Sequence, residues 1–173
     1  MKKIIILGDS SVGKTSLIRR YYENTFDTDY EPTIGVEVKK LDNLLILDSG
    51  GHKRIRELIS TFYRSCQIFV FVFDLSNRTS FMNMIEWIEY IRSILQHYFQ
   101  IIIVGTKIDL ENMINVHIEE IMNISQKYSA QYVLTSSRTG EGIYKLFLEL
   151  ESIVVKSEIQ QVEPVHETCN CYC

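Results

Sequence analysis

The chain has 173 residues, of which 46% are hydrophobic and 23% charged, with a formal net charge of −4. That length and balance describe one soluble globular domain with enough chain to bury a core, and the acidity argues against a general nucleic-acid binder. No apolar run approaches the length of a membrane span, and Met1-Lys2-Lys3 before Ile4-Ile5-Ile6-Leu7 is too short for a signal peptide, so the cytosol and reduced thiols are expected.

Lys3 to Leu7 reads as a first strand. Leu17, Ile18, Tyr21 and Tyr22 follow at helical spacing. Val36–Leu41 and Leu44–Leu47 form a predicted hairpin turning at Asp42-Asn43. The continuous apolar run Gln67–Phe73 fits a central strand buried on both faces. Phe81, Met84, Ile85, Ile88, Ile91 and Leu95 share one face of a helix, with Ser80 or Thr79 as the expected cap. Ile101–Val104 is a further buried strand, and Ile118, Ile121, Met122 and Tyr128 mark a weaker helix. Tyr132–Leu134 is a short strand, and Ile143, Leu146, Phe147, Leu150, Ile153 and Val154 form the last helix. Strand and helix signals alternate, which predicts a parallel sheet covered by helices. Periodicity stops after Val155, dividing the chain into a domain over 1–155 and a mobile tail over 156–173. The Met and aromatic residues on these stripes are read as core filling.

Between the first strand and first helix lies Gly8-Asp9-Ser10-Ser11-Val12-Gly13-Lys14-Thr15, a match to G-x-x-x-x-G-K-[ST] in its required strand–loop–helix context. Gly8 and Gly13 let successive backbone N–H groups turn inward toward phosphate oxygens. The helix N-terminus adds partial positive charge, and Lys14 adds a full one. The Thr15 hydroxyl is placed to coordinate magnesium. Further polar motifs fall just after predicted strands, where open α/β sheets bind ligands. These are Asp48-Ser49-Gly50-Gly51, Thr106-Lys107-Ile108-Asp109 and Thr135-Ser136-Ser137-Arg138, with Glu31-Pro32-Thr33-Ile34-Gly35 ahead of the second strand.

In this order behind a P-loop, the motifs resemble the small GTPases of the Ras superfamily, and the Rab branch most closely. Ile34-Gly35-Val36-Glu37, Phe62-Tyr63-Arg64 and Phe73-Asp74 carry the Rab likeness. The resemblance implies a small G domain of the P-loop NTPase class: an α/β fold whose mostly parallel six-stranded sheet has helices on both faces. It implies Mg2+ and bound GTP or GDP. It gives Asp109 the guanine N1 and amine donors, puts Lys107 over the base and bracing the P-loop, and packs Phe26 edge-on to the base. The Ser137 N–H would meet the guanine carbonyl, beside Arg138. Thr33 would bind magnesium and sense the γ-phosphate, Asp48 would hold magnesium through water, and the Gly51 N–H would reach the γ-phosphate. Gly8, Ser11, Val12, Gly13, Lys14, Thr15, Ser16, Tyr30, Thr106 and Ser136 complete the implied nucleotide shell.

Departures from that family are specific. Where its members read Trp-Asp-Thr-Ala-Gly-Gln-Glu, this chain has Leu47-Asp48-Ser49-Gly50-Gly51-His52-Lys53. His52 cannot present a donor and an acceptor on one carbon as glutamine does, so slow intrinsic hydrolysis is expected, with Lys14 and Gly51 as the other catalytic positions. Gly50 loosens the segment and Lys53 reverses a charge. Thr106 stands at a usual asparagine, and Ser137-Arg138 at a usual Ala-Lys. The spacing from Thr33 to Asp48 is several residues short, so the second and third strands are expected to form a shortened hairpin.

The C-terminal Cys171-Tyr172-Cys173 resembles the Rab terminus that receives two geranylgeranyl groups, and Cys169 is a possible palmitate site. Three cysteines without histidine partners make a poor zinc site. Residues 156–173 carry a formal charge of −2, so no polybasic patch assists and two lipid chains are required for stable anchoring. The expected protein is a monomer on the cytoplasmic face of an endomembrane, cycling with the cytosol. Its partners by resemblance are an exchange factor, a GTPase-activating protein, a GDP-dissociation inhibitor or escort protein, and effectors. Two rival readings are a nucleotide-binding module with negligible hydrolysis and a P-loop kinase of small metabolites. The kinase reading lacks any arginine-rich lid segment.

Overall fold

The computed structural model describes residues 2–27, 32–41, 44–51, 59–95 and 97–159, without the side chains of 154–159. The strands are β1 (Lys2–Leu7), β2 (Val36–Leu41), β3 (Leu44–Ser49), β4 (Ile68–Asp74), β5 (Gln100–Thr106) and β6 (Gln131–Leu134). The helices are α1 (Lys14–Glu23), the single turn α2 (Ser60–Tyr63), α3 (Arg78–Ile94), α4 (Ile118–Lys127) and α5 (Ile143–Ile159), with a 3₁₀ turn at Glu111–Met113. They build a six-stranded sheet in the order β2-β3-β1-β4-β5-β6. All neighbours are parallel except β2, which runs antiparallel to β3.

The alternation of side chains along the strands sorts the core into two layers. On one face Ile5, Leu7, Phe69, Phe71 and Phe73 pack with Phe81, Met84, Trp87, Ile88 and Ile91 of α3. On the other, Ile4, Ile6, Val70, Val72 and Val104 pack with Leu17 and Ile18 of α1 and Leu146, Phe147 and Leu150 of α5. β4 is therefore apolar at every position before Asp74, because both of its faces are covered. Tyr21 of α1 stacks on Phe147 of α5 with ring centroids 3.8 Å apart, joining the two helices on this face.

Three elements differ from the sequence expectation. β3 continues through Asp48 and Ser49, since both keep ladder partners in β2, at Glu37 and Val36. This carries Asp48 to the polar end of the sheet while it is still held by strand pairing. The cap of α3 is Asn77, whose side chain accepts from Ser80 N. Ser80 is buried instead, with its hydroxyl on Asn77 O at 2.7 Å and accepting from Asp74 N at 3.0 Å. The last helix continues to Ile159, beyond the expected end of the domain at residue 155. The β2–β3 hairpin is present as paired strands of six residues each, and its tip, Asp42-Asn43, lies outside the described residues.

Phe71 is fully buried beneath α3, so Phe71→Ala is expected to cost about 3–5 kcal/mol through lost transfer energy and the cavity left behind. Met82→Ala, at a position 51% exposed on the same helix, is expected to change stability by under about 0.5 kcal/mol. Urea denaturation of both variants checks this, with the midpoint of the first falling well below that of the second.

Candidate functional site

The polar motifs converge at the carboxyl ends of β1, β3, β4, β5 and β6. Residues 8–13 leave β1 and curl back beneath the start of α1, where Leu17 N bonds to Gly13 O. The curl brings Gly8 so close to β4 that a Cβ there would lie 2.1 Å from Val72 O, which excludes any side chain. Ser11, not a glycine, holds a left-handed φ of 62°. Thr106, at the end of β5, ties this loop to the sheet. Its hydroxyl lies 2.6 Å from Val12 O and 2.9 Å from Phe73 O.

Lys14 opens α1 and is buried, with its ammonium donating to Gly8 O at 3.0 Å and to Asp9 O at 2.6 Å. Burial lowers its pKa to about 8, against the opposing pull of the Asp48 and Asp9 carboxylates. Beside it, Thr15 Oγ1 donates to Asp48 Oδ2 at 2.7 Å and lies 2.8 Å from Thr33 Oγ1. A hydroxyl has one proton, so Thr33 is the donor in the second contact. Asp48 is fully buried, its Oδ1 has no partner among the described residues, and burial raises its pKa. Three oxygen side chains from α1, β3 and the segment before β2 thus meet at the loop mouth around an unsatisfied carboxylate oxygen. An oxygen-only donor set of this kind fits a hard divalent cation. Among the described residues no three His, Cys, Asp or Glu side chains cluster, so such a cation would keep water or substrate oxygens in several positions.

Gly51 closes the loop from the other side. A Cβ on it would fall 2.1 Å from Ser10 N and 2.2 Å from Asp9 C. Gly50 N donates to Gly35 O at 2.8 Å, linking the chain after β3 to the chain before β2.

A narrow cavity of about 90 Å³ next to the loop is lined by Gly13, Ser16, Phe26, Lys107, Asp109 and Ser137, among others. Asp109 is held by Ser136 Oγ at 2.6 Å and faces Arg138 Nε at 3.7 Å. The Arg138 guanidinium also lies over Phe26, 5.7 Å from the ring centroid, and Phe26 is 38% exposed. Lys107, in left-handed backbone at φ 63°, pairs with Asp74 at 2.6 Å. Thr106 thus braces the P-loop through Val12 O, while the charge of Lys107 is met by Asp74. Thr15, Ser16, Thr33, Asp48, Asp109, Ser136, Ser137 and Arg138 all sit at this one end of the sheet. Tyr30, His52, Lys53, Cys169, Cys171 and Cys173 lie outside the described residues.

One supporting residue has no signal in the sequence. Arg20 of α1 donates from Nε to Ser137 O at 2.5 Å and from Nη2 to Arg138 O at 2.5 Å. Its Nη1 donates to Asn24 O at 2.9 Å and Asn24 Oδ1 at 3.2 Å. One guanidinium thus ties the loop after β6 to the end of α1. By spacing alone an arginine at position 20 is a solvated residue on a helix, because its partners Ser137 and Arg138 are more than a hundred positions away.

The chain is similar in sequence to known proteins. The Ras family model matches residues 3–156. Ras-related protein Rab-21 of Homo sapiens is 35% identical over 156 residues, covering 86% of this chain and 69% of the human protein. The Rab-21 proteins of Canis lupus familiaris, at 35% identity, and Bos taurus, at 34%, match over the same share of this chain and 70% of their own length.

Charge-assisted hydrogen bonds contribute roughly 1.5–3 kcal/mol each. Arg20→Ala is therefore expected to speed hydrogen–deuterium exchange of the amides in 137–140 by about tenfold or more, since that loop then opens locally more often. Arg78→Ala removes a comparable bidentate contact, to Glu120, on the α3–α4 side of the fold. That variant is expected to leave exchange in the loop unchanged.

Proposed function

Because this chain belongs to the Ras family of small GTPases, in its Rab branch, we propose that it is a magnesium-dependent guanine-nucleotide switch tethered to a membrane. The observation that carries this reading is the meeting of Lys14, Thr15, Thr33 and Asp48 at the mouth of the phosphate loop. Lys14 would exchange the carbonyls of Gly8 and Asp9 for phosphate oxygens. Thr15, Thr33 and Asp48 fit a magnesium ion, Asp48 through water, and such an ion neutralises charge on the terminal phosphates. The Asp109 carboxylate, already oriented by Ser136, would take the paired donors of a guanine that adenine lacks.

The switch follows from attachment. Thr33 reaches the loop through one hydroxyl contact and Gly50 reaches Gly35 through one backbone bond. A γ-phosphate held by Lys14, Thr33 and the Gly51 N–H would fix both segments, and its loss would free them together. Effectors, an exchange factor, a GTPase-activating protein and a GDP-dissociation inhibitor or escort protein are the partners of this reading.

Intrinsic hydrolysis is proposed to be slow because His52 stands where a glutamine would orient the attacking water. Membrane attachment is proposed to come from prenyl groups on Cys171 and Cys173. No helix of the described residues is long and apolar enough to cross a membrane. An endomembrane surface and a role in vesicle traffic go with the Rab relationship.

Analysis of the nucleotide released from purified protein tests the central claim. Bound GDP or GTP supports it, and adenine nucleotide would end it. Single-turnover hydrolysis, with and without a GTPase-activating domain, separates an enzyme from a module that only holds its nucleotide. His52→Gln is expected to raise the intrinsic rate about tenfold, or about 1.4 kcal/mol of barrier. A wild type already as fast as that variant contradicts the role given to His52.

The Lys14 ammonium adds a pH dependence. Its pKa of about 8 in the free protein should rise when phosphates neutralise it, so binding favours the protonated form. Affinity for GDP is expected to be level below about pH 7 and to fall as pH climbs through about 8. From a pKa of about 8, binding at pH 8.5 should be about fourfold weaker than at pH 7. Titration with a fluorescent GDP analogue across that range measures it, and a flat profile would contradict the assignment.

A further inference from the structure

Asp9 places a carboxylate inside the phosphate-binding loop. Asp9 is the second residue of the loop, and its carbonyl accepts the Lys14 ammonium at 2.6 Å. The carboxylate is close enough to act on Lys14 electrostatically, after the larger effects of burial and of Asp48. Left unrestrained, it would compete with phosphate for Lys14 and repel the incoming anion.

The structure gives that carboxylate a partner of its own. Asn83 of α3 donates from Nδ2 to Asp9 Oδ2 at 2.6 Å, across 74 positions of sequence. Asn83 lies in the second turn of α3, whose start is fixed by the Asn77 cap. An amide is well matched to this position, because it satisfies the carboxylate without adding a positive charge that would bind phosphate elsewhere. The same peptide is the seat of the segment after β3, since a Cβ on Gly51 would fall 2.4 Å from Asp9 O. Holding Asp9 therefore fixes both the floor of the loop and the surface on which Gly51 rests.

We propose that Asn83 is a positioning residue of the nucleotide site, holding the Asp9 carboxylate away from the phosphate cradle so that Lys14 stays available to the polyphosphate. The inference rests on the nucleotide-binding reading above. It adds α3, through a residue that touches no nucleotide, to the elements that set affinity.

The test is dissociation of a fluorescent GDP analogue from the full chain in magnesium, for wild type and four variants. Asn83→Ala is expected to speed release about tenfold. Asn83→Asp, which sets two carboxylates against each other, is expected to be worse. Adding Asp9→Ala to Asn83→Ala should return the rate to within about twofold of wild type, because no carboxylate remains to be restrained. Asp9→Asn combined with Asn83→Asp exchanges donor and acceptor and should recover most of the loss. A merely structural contact would show no rescue, since Asp9→Ala removes a second side chain from the same junction. An unchanged rate in Asn83→Ala, or no rescue by Asp9→Ala, overturns the proposal. A wild type that retains no guanine nucleotide at all would instead overturn the reading on which it rests.

Discussion

The polar end of this sheet is organised around one buried ammonium. Lys14 sits at the first turn of α1, where orphan N–H groups and a positive helix end already disfavour a cation. Burial disfavours it further, which is why its pKa falls to about 8. Two carbonyls of the loop and the Asp48 carboxylate offset part of that cost. The arrangement is unfavourable in isolation and becomes favourable when an anion replaces the carbonyls. Such a site stores affinity for phosphate in its own unsatisfied electrostatics. Asp48 presents the complementary case, a buried carboxylate with one oxygen unpaired among the described residues. The two groups, of opposite sign, are linked through Thr15, which follows Lys14 in α1 and donates to Asp48.

Much of this can be read from the sequence because it depends on local rules. The P-loop declares itself by glycine positions and a lysine, and β4 by an apolar run without a charge before Asp74. The helices that cover the sheet follow from apolar spacing. What cannot be read depends on pairings across the fold. Arg20 joins residues 117 and 118 positions away, and Asn83 joins one 74 positions away. Nothing in a helical Arg or Asn announces such partners. The cap of α3 escapes the sequence for a more local reason. Asn77, Thr79 and Ser80 are all capping types, and the choice falls to Asn77 because Ser80 is drawn into the junction with Asp74. The Lys107–Asp74 pair at 2.6 Å is likewise a contact across the fold, 33 positions apart in sequence.

The fold divides into a rigid part and a loosely tethered part. β1, β4 and β5 are buried on both faces and their ladders are continuous. β2 is an edge strand with Val38 56% exposed, and Ile34 just before it is 93% exposed. Long exposed edges with apolar side chains favour pairing with another surface. The segment before β2 and the one after β3 are joined to each other at Gly35 and Gly50, and to the loop through Thr33 and Gly51. Among the described residues these links are one hydroxyl contact at Thr33, one backbone bond at Gly50 and the close approach of Gly51 to the loop.

That asymmetry explains why a ligand of small volume can govern a large surface. A phosphate bound between Lys14 and Gly51 would act on the rigid part through α1 and on the loose part through two short links. The rigid part cannot respond, because Phe71, Trp87 and their neighbours are close-packed. The links such a phosphate would bear on are those at Thr33, Gly50 and Gly51. Asn83 and Thr106 have the opposite effect, as both tie the phosphate loop to the rigid part. The loop is thus held from behind by Thr106 and Asn83 and met in front by Gly51, and the exposed apolar residues Ile34 and Val38 lie beside that front.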